Sequence, residues 1–191
     1  MPRSGLTTLR VVQEAEAVAD EVGLTNVTLM SIAQRLGVRT PSLYKHIDGM
    51  DALQRQLSIR ALGELGDVLA QACVGKAGVP AVQAISVALR SWAKQHPGRY
   101  AATVAVADPA DTEHAAASFA VVQIALDVLA SFGLAGDDAI DAARALRSTL
   151  HGFIALEEAG GFGLPVDVDR SFNKLVLGLA KTISGWAQPA S

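Results

Sequence analysis

The stretch Thr28–Leu53, TLMSIAQRLGVRTPSLYKHIDGMDAL, decides the fold because it reads as two short helices joined by a tight turn. Thr28 stands where a side-chain hydroxyl caps a helix, and Gly37 stands where a helix ends in a left-handed residue. Between them, apolar residues recur at positions i, i+3, i+4 and i+7, which places one buried face on the first helix: Leu29, Ile32, Ala33 and Leu36.

A second helix follows the turn. Thr40 and Pro41 predict its start, because threonine caps helices and proline at the first helical position loses no hydrogen bond. Leu43 and Ile47 anchor this helix, and Val38 fills the corner between the two helices. The remaining side chains are polar and face outward: Arg39, Thr40, Ser42, Tyr44, Lys45 and His46. A helix with such a surface fits the major groove of DNA, so the sequence predicts a DNA-reading helix-turn-helix.

This stretch resembles the TetR family of bacterial transcriptional regulators. The residues that carry the resemblance are IAQRLGV at 32–38, SLYKHI at 42–47, and Leu53. Two positions depart from the family pattern: Ile47 replaces a phenylalanine, and Met50 stands where the family has a lysine near a DNA phosphate. The resemblance implies DNA contacts from Arg3 and Thr8 near the first helix, and above all from Thr28, Arg39, Thr40, Ser42, Tyr44, Lys45 and His46.

The charge distribution agrees with a small DNA-binding region. The chain has 191 residues, of which 50% are hydrophobic, 18% charged and 5% aromatic, a composition that favours helices packed on helices. Its net charge is −3, which alone is unusual for a nucleic-acid binder. Residues 25–60 carry five Lys or Arg against two Asp, whereas residues 61–191 carry nine against thirteen acidic residues. The basic footprint is therefore confined to the predicted helix-turn-helix.

Cysteine content and hydropathy indicate a cytoplasmic protein. The single cysteine, Cys73, excludes an intrachain disulfide, and the chain does not open with a secretion signal. Residues 115–136 are long and apolar enough for a membrane span, with Asp127 as the one charge. The small side chains and Gln123 favour a helix buried among other helices, so we expect no membrane.

Helical periodicity and glycine or proline breaks organise the whole chain into an all-α fold. A three-helix head (residues 1–50) is predicted to join a helical ligand-binding and dimerisation body (residues 51–191). Thr8 is predicted to precede the first helix, whose buried face includes Leu9, Glu16 and Val22. The predicted helices run over residues 9–22, 29–36, 40–47, 51–72, 80–95, 99–107, 112–132, 137–159 and 169–187.

The stretch His151–Phe162, HGFIALEEAGGF, resembles the ligand-binding domain of the TetR subgroup named after a Trp-His-Gly motif, with Leu150 in place of the tryptophan. In the family, the last two helices pair with those of a second subunit, so the resemblance implies a homodimer. Two heads on a two-fold axis would engage a near-palindromic operator. The predicted interface residues, for which ordinary core packing is the alternative, are Leu146, Leu150, Phe153, Ile154, Leu175, Leu179, Ile183 and Trp186.

The middle helices are expected to enclose a pocket for a small, rather hydrophobic effector, whose binding would release the operator. The candidate ligand-binding residues are Trp92, His96, Tyr100, Phe119, Val122, Gln123, Leu126 and His151. For each of them, core packing or a structural hydrogen bond is the alternative.

Two other function classes were weighed. An enzyme would need paired acid–base or metal-binding residues, but His151 and Glu157 lie nearly opposite on a helix, and His96 and His114 are separated by two breaks. No hydrolase, metalloprotease or phosphate-loop motif is present, so we expect neither catalysis nor a cofactor or metal. A helical protein-interaction module that uses the helix-turn-helix as scaffold stays open. Whether the bound protein represses or activates depends on the operator position.

Overall fold

The computed structural model describes residues 5–106 and 108–186, and these residues form helices and loops without a β-strand. The predicted all-α fold is confirmed. Eight α-helices and two short 3₁₀ helices, Leu24–Asn26 and Thr40–Lys45, follow one another in this described part of the chain. The α-helices are α1 (Thr8–Val22), α2 (Leu29–Leu36), α3 (Met50–Cys73), α4 (Gly78–Gln95), α5 (Pro97–Thr103), α6 (Thr112–Ala130), α7 (Gly136–Glu158) and α8 (Val168–Ser184).

Helix α1 ends at Val22 as predicted, but it starts at Thr8, one residue earlier than expected, and it has a different cap and a different buried face. The Thr7 side chain, rather than that of Thr8, accepts the hydrogen bond from the Arg10 amide that caps the helix. Leu9 and Val22, predicted to be buried, are half exposed at 52% and 48%. The residues that fill the core instead are Val11, Val12, Ala15, Val18 and Ala19.

The long helix α3 explains the one acidic residue on the buried face of α1. Glu16 is only 7% exposed. Its carboxylate accepts a hydrogen bond from the Nε of Arg60 on α3 at 2.7 Å. A buried carboxylate is tolerated because it is paired, so Glu16 ties α1 to α3.

The contacts divide the chain into two units that differ from the predicted boundary at residue 50. The first unit comprises Met1–Glu64 and Gln95–Ser118, and the second comprises Leu65–Lys94 and Phe119–Ser191. The cause is α5, which packs against α1. This small helix and its neighbours therefore belong to the helix-turn-helix head, although they follow it by some forty residues in sequence.

In the second unit, α7 and α8 contact each other, as the sequence predicted. Near their shared end, Leu129 and Leu134 join Ala142 and Ile183 in a buried cluster. Helix α8 is described to Ser184, three residues short of the predicted end, and Ala187 lies outside the described residues. Helix α5 starts at Pro97, two residues earlier than predicted, because proline is compatible with a first helical position.

Helix α6 is less buried than the sequence predicted. It is long and apolar enough to cross a membrane by length and composition, with a mean hydropathy of 1.3, and only 17% of that window is buried. Most of its residues are half-buried or exposed, so the expectation of a helix enclosed among others is wrong. Within the second unit, Val121 and Ile124 approach Gly66 of α3 on one side.

Candidate nucleic-acid interface

The helix-turn-helix begins with the predicted cap. The Ser31 amide donates to Thr28 Oγ1 at 3.0 Å, and the Thr28 amide donates to Ser31 Oγ at 3.2 Å, a reciprocal pair that satisfies two free amides. Gly37 ends α2 in the left-handed region, with φ 66° and ψ 31°. The Val38 amide then donates to the Ala33 carbonyl at 3.0 Å, which fixes the direction of the chain into the second helix.

The second helix is a 3₁₀ helix over Thr40–Lys45, which we call the recognition helix. The predicted capping role of Thr40 is wrong, because Arg39 occupies the cap position without a side-chain cap bond. A backbone bond from the Ser42 amide to the Arg39 carbonyl, 2.8 Å, closes the first turn instead. Leu43 and Ile47 are buried at 0% and 4% exposure, as predicted, so they anchor the helix to the head.

The side chains predicted to contact DNA are accessible. Arg39, Tyr44 and Lys45 are exposed on the recognition helix, with Tyr44 at 58%. Thr28 is exposed at the start of α2. The other predicted contacts are half-buried: Thr40, Ser42 and His46.

Thr8 and Arg3 are the two candidate DNA contacts near the start of α1. Thr8 donates its hydroxyl hydrogen to the His46 carbonyl at 3.0 Å, so it holds the end of the recognition helix to α1. This structural role was not foreseen from the sequence. Arg3 lies outside the described residues.

Three of the five basic residues between positions 25 and 60 are neutralised by ion pairs within the first unit. Arg35 pairs with Glu14 and Glu21, Arg55 with Asp111 and Glu113, and Arg60 with Glu16. The other two of these five residues, Arg39 and Lys45, form no ion pair with the described part of the chain. The positive charge available to a nucleic acid is therefore concentrated on the recognition helix.

Arg99 of α5 links α1 and α3 within the first unit. Its Nε lies 2.8 Å from Asp20 Oδ2 on α1, and its Nη1 lies 2.7 Å from Glu64 Oε2 on α3. Its backbone amide also donates to Asp20 Oδ1 at 2.9 Å. Two predicted effector residues, His96 and Tyr100, also belong to the first unit. His96 contacts the Arg99 guanidinium, and Tyr100 is only 5% exposed.

The first turn of α6 is held to α3 by a buried polar contact. Ser58 donates its hydroxyl hydrogen to the Ala102 carbonyl at 2.8 Å, and His114 Nε2 lies 2.7 Å from Ser58 Oγ. Since that hydroxyl hydrogen is already used, His114 Nε2 is the donor to Ser58. The sequence analysis considered His114 only as a catalytic candidate.

The other effector candidates lie in the second unit with unequal accessibility. Trp92 is 4% exposed, whereas Phe119 is 61% exposed. Gln123 is exposed and donates to Asp127 Oδ1 at 2.8 Å. Three candidates are half-buried: Val122, Leu126 and His151. Burial, reinforced by the neighbouring charge of Arg147, lowers the pKa of His151 to about 4, so its imidazole is neutral at pH 7.

An arginine–aromatic cluster in the second unit was missed by the sequence analysis. Arg90 of α4 is 9% exposed and donates to both carboxylate oxygens of Glu157 on α7, at 2.7 and 2.6 Å. It also lies 2.7 Å from Asp169 of α8, and its guanidinium carbon stands 4.7 Å from the centre of the Phe172 ring. The only sequence signal was a charge inside the apolar run of α4.

The residues predicted to form a dimer interface divide into two groups. Leu146, Leu150, Ile154 and Ile183 are at most 3% exposed within the single chain, so they fill its own core and a partner would not reach them. Their burial agrees with the alternative that the sequence left open, in which the apolar stripes of α7 and α8 pack these helices within the subunit. The candidates with accessible surface are Phe153, Leu175, Leu179 and Trp186.

Comparison with known proteins identifies the family. Residues 82–179 match the sequence profile described as "Tetracyclin repressor-like, C-terminal domain". The chain belongs to the TetR family. It is 36% identical to an uncharacterised HTH-type transcriptional regulator of Mycobacterium tuberculosis, over 89% of this chain and 78% of that protein. It is 34% identical to the uncharacterised HTH-type regulator YobS of Bacillus subtilis, over 90% of each chain.

The fold is also similar to that of a solved TetR structure. A TetR variant from Acinetobacter baumannii in complex with minocycline is 20% identical and superposes with a TM-score of 0.73, covering 97% of this chain and 100% of that one. The TetR-family chain is thus a transcriptional regulator with a helix-turn-helix and not an enzyme. Its assignment to the Trp-His-Gly subgroup stays a prediction.

Proposed function

We propose that this TetR-family regulator is a cytoplasmic repressor that binds a near-palindromic operator as a homodimer and is released by a small, rather hydrophobic effector. The observation that carries the DNA-binding part is the recognition helix. Buried Leu43 and Ile47 hold it in place, while Arg39, Tyr44 and Lys45 are left exposed. An arginine, a lysine and a tyrosine on such a helix can donate hydrogen bonds to base edges and phosphates in a major groove.

The homodimer follows from the geometry of DNA. One short recognition helix reads only a few base pairs, and half-sites one helical turn apart, roughly 34–36 Å, require two heads on a two-fold axis. The exposed surface of α7 and α8 is the interface we propose, with the accessible candidates Phe153, Leu175, Leu179 and Trp186.

The effector is proposed to bind in the second unit. The half-buried Val122 and Leu126 of α6 supply apolar contacts, and neutral His151 supplies a polar group without a charge. A largely apolar lining disfavours a strongly charged ligand because the desolvation of its charge would not be repaid. The TetR variant from Acinetobacter baumannii, which was solved in complex with minocycline, has the same fold, and this supports a small-molecule effector for the present chain.

Selection of the purified full-length protein on a random duplex library at physiological salt tests the proposal. We expect enrichment of a two-fold symmetric site. Tyr44→Ala and Lys45→Ala should each weaken binding to that site, while Lys76→Ala, which removes a lysine that lies on the α3–α4 connection, should not. A folded protein that enriches no site, or variants that bind equally well, would favour an interaction module instead.

Once the operator is known, effector release is measured by titrating the protein–operator complex with a panel of neutral and charged small molecules. We expect release by apolar, weakly polar compounds, and His151→Ala should shift the concentration needed. Compounds that bind the second unit without changing operator affinity would refute the ligand-responsive part and leave DNA binding intact.

A further inference from the structure

The 3₁₀ geometry of the recognition helix sorts its side chains into rows, because residues at i and i+3 eclipse each other in such a helix. The inner row, which is buried or half-buried, consists of Thr40, Leu43 and His46. A second row, which we call the basic row, consists of Arg39, Ser42 and Lys45. Both exposed cations of the recognition helix therefore lie in one row, with one cation at each end.

The backbone that carries Arg39 is held on both sides. The Val38 amide donates to the Ala33 carbonyl at 3.0 Å, and the Arg39 carbonyl accepts from the Ser42 amide at 2.8 Å. Arg39 itself is extended, with φ −85° and ψ 143°, and its side chain makes no cap bond. Its guanidinium, which forms no ion pair with the described part of the chain, is thus presented from a fixed position at the start of the recognition helix.

The two ends of the basic row are too far apart to serve the same base pair. Six residues at about 2.0 Å each separate Arg39 from Lys45 by about 12 Å along the axis, which is three to four base-pair steps of about 3.4 Å. The N-terminal residues of a recognition helix are those that contact base edges. Arg39 occupies that end, whereas Lys45 precedes His46, whose carbonyl is tied to α1 by Thr8 at 3.0 Å.

The chemistry of the two cations divides them in the same way. The planar fork of an arginine matches the O6 and N7 acceptors of guanine with two hydrogen bonds, while a lysine ammonium is a point charge suited to phosphate. Residues 38–47 contain no Asp or Glu, which recognise cytosine, and no Asn or Gln, which bind adenine with two hydrogen bonds. Guanine is therefore the base that this stretch is best equipped to read.

We propose that Arg39 is a specificity-determining residue that reads one guanine in each operator half-site through O6 and N7, while Lys45 binds the phosphate backbone. The inference rests on the DNA binding of the proposed function and adds the base identity to it. Arg39 then decides which sequences are bound, and Lys45 strengthens binding to all of them alike.

Selection on a random duplex library tests this inference with the full-length wild type and the variants Arg39→Gln, Arg39→Lys and Lys45→Gln. We expect a G·C pair at one fixed position of the wild-type half-site. Arg39→Gln should replace this pair by A·T, because a carboxamide pairs with adenine N6 and N7. Arg39→Lys keeps the charge but loses the fork, so discrimination at that pair alone should fall about 5- to 150-fold.

Lys45→Gln is the matched variant, because it places the same carboxamide at the other end of the basic row. It should leave the selected sequence unchanged, weaken binding to every duplex alike, and make the log–log salt slope shallower by about 1 per head. Circular dichroism checks that the variants are folded. Since Arg39 and Lys45 are exposed, we expect native spectra.

The outcomes separate this inference from the proposed function. A folded wild type that enriches no site would refute DNA reading and the role of Arg39 together. A wild-type site without a fixed G·C pair would refute the role of Arg39 alone. The same holds if Arg39→Lys keeps full discrimination at that pair, or if Lys45→Gln is the variant that changes the preferred base. Arg39→Lys decides the matter even where Arg39→Gln binds too weakly to enrich a site.

Discussion

Gly98 is the position where a single methyl group should do the most damage to the DNA-binding head. Helix α5 packs so closely on α1 that a β-carbon at Gly98 would lie 2.0 Å from the carbonyl carbon and oxygen of Ala19, and 2.6 Å from the Asp20 amide nitrogen. The obstructing atoms are backbone, so no side chain can turn away. To restore ordinary contact distances, α5 or α1 must move by more than about 1 Å.

The size of the effect follows from two opposing terms. Alanine is favoured over glycine within a helix by about 0.5–1 kcal/mol. Overpacking of a close contact costs about 1–3 kcal/mol, and more where backbone must move. Because the clash exceeds the gain in helix propensity, Gly98→Ala should lower the free energy of unfolding by about 1–3 kcal/mol. The displaced α1 supports the recognition helix, so operator affinity should fall as well.

Urea unfolding followed by circular dichroism measures the change, and Gly63→Ala is the matched control. Gly63 lies within α3 of the same unit, and an added β-carbon there meets no atom within 4 Å. The control should be neutral or stabilised by up to about 1 kcal/mol. If Gly98→Ala were as stable as Gly63→Ala, the close approach of α5 to α1 would not exist in solution, and the grouping of α5 with the head would be refuted.

Three further predictions concern the cap, acid stability and salt. Thr28→Ala should lower stability by about 1 kcal/mol in a urea titration, whereas Thr25→Ala, at an exposed position in the preceding turn, should have little effect. Hydrogen bonds from Arg90 lower the pKa of Glu157 from 4.5 to about 2. The ionised Glu157 therefore stabilises the folded protein fully above pH 4.5, and this stabilisation is lost as the pH falls towards 2. Glu157→Gln should flatten that part of a curve of unfolding free energy against pH. For operator binding, a dimer that uses only Arg39 and Lys45 of each head should give a log–log salt slope of about −4, and a slope near −9 would mean that the paired arginines also contact phosphates.

The helix-turn-helix was predictable because its determinants are local. Thr28 and Ser31 are three residues apart, and Gly37 ends the helix that they begin, so each signal lies within one or two turns of its effect. The burial of Leu43 and Ile47 likewise follows from helical spacing on a short element. Caps and helical spacing can be recognised in a sequence because the interacting residues are near neighbours in the chain.

The long-range pairs were not predictable for the opposite reason. Arg90 meets Glu157 across 67 positions, and Arg99 meets Asp20 across 79. Nothing local distinguishes these arginines from exposed ones, since the sequence does not say which carboxylate will arrive beside them. The apolar stripes of α7 and α8 are a similar case, because in sequence an apolar face looks the same whether it packs on its own subunit or on another.

Long-range ion pairs also change how the positive charge of residues 25–60 is interpreted. The surplus of positive residues between positions 25 and 60 is typical of a DNA-binding segment, yet Arg35, Arg55 and Arg60 are engaged with carboxylates of the first unit. Their charges hold the head together instead of attracting phosphates. Within residues 25–60, Arg39 and Lys45 are the two cations that form no described ion pair, so this segment has little charge for strong non-specific binding. Affinity must therefore come largely from base contacts and, in the homodimer that we propose, from two heads acting together.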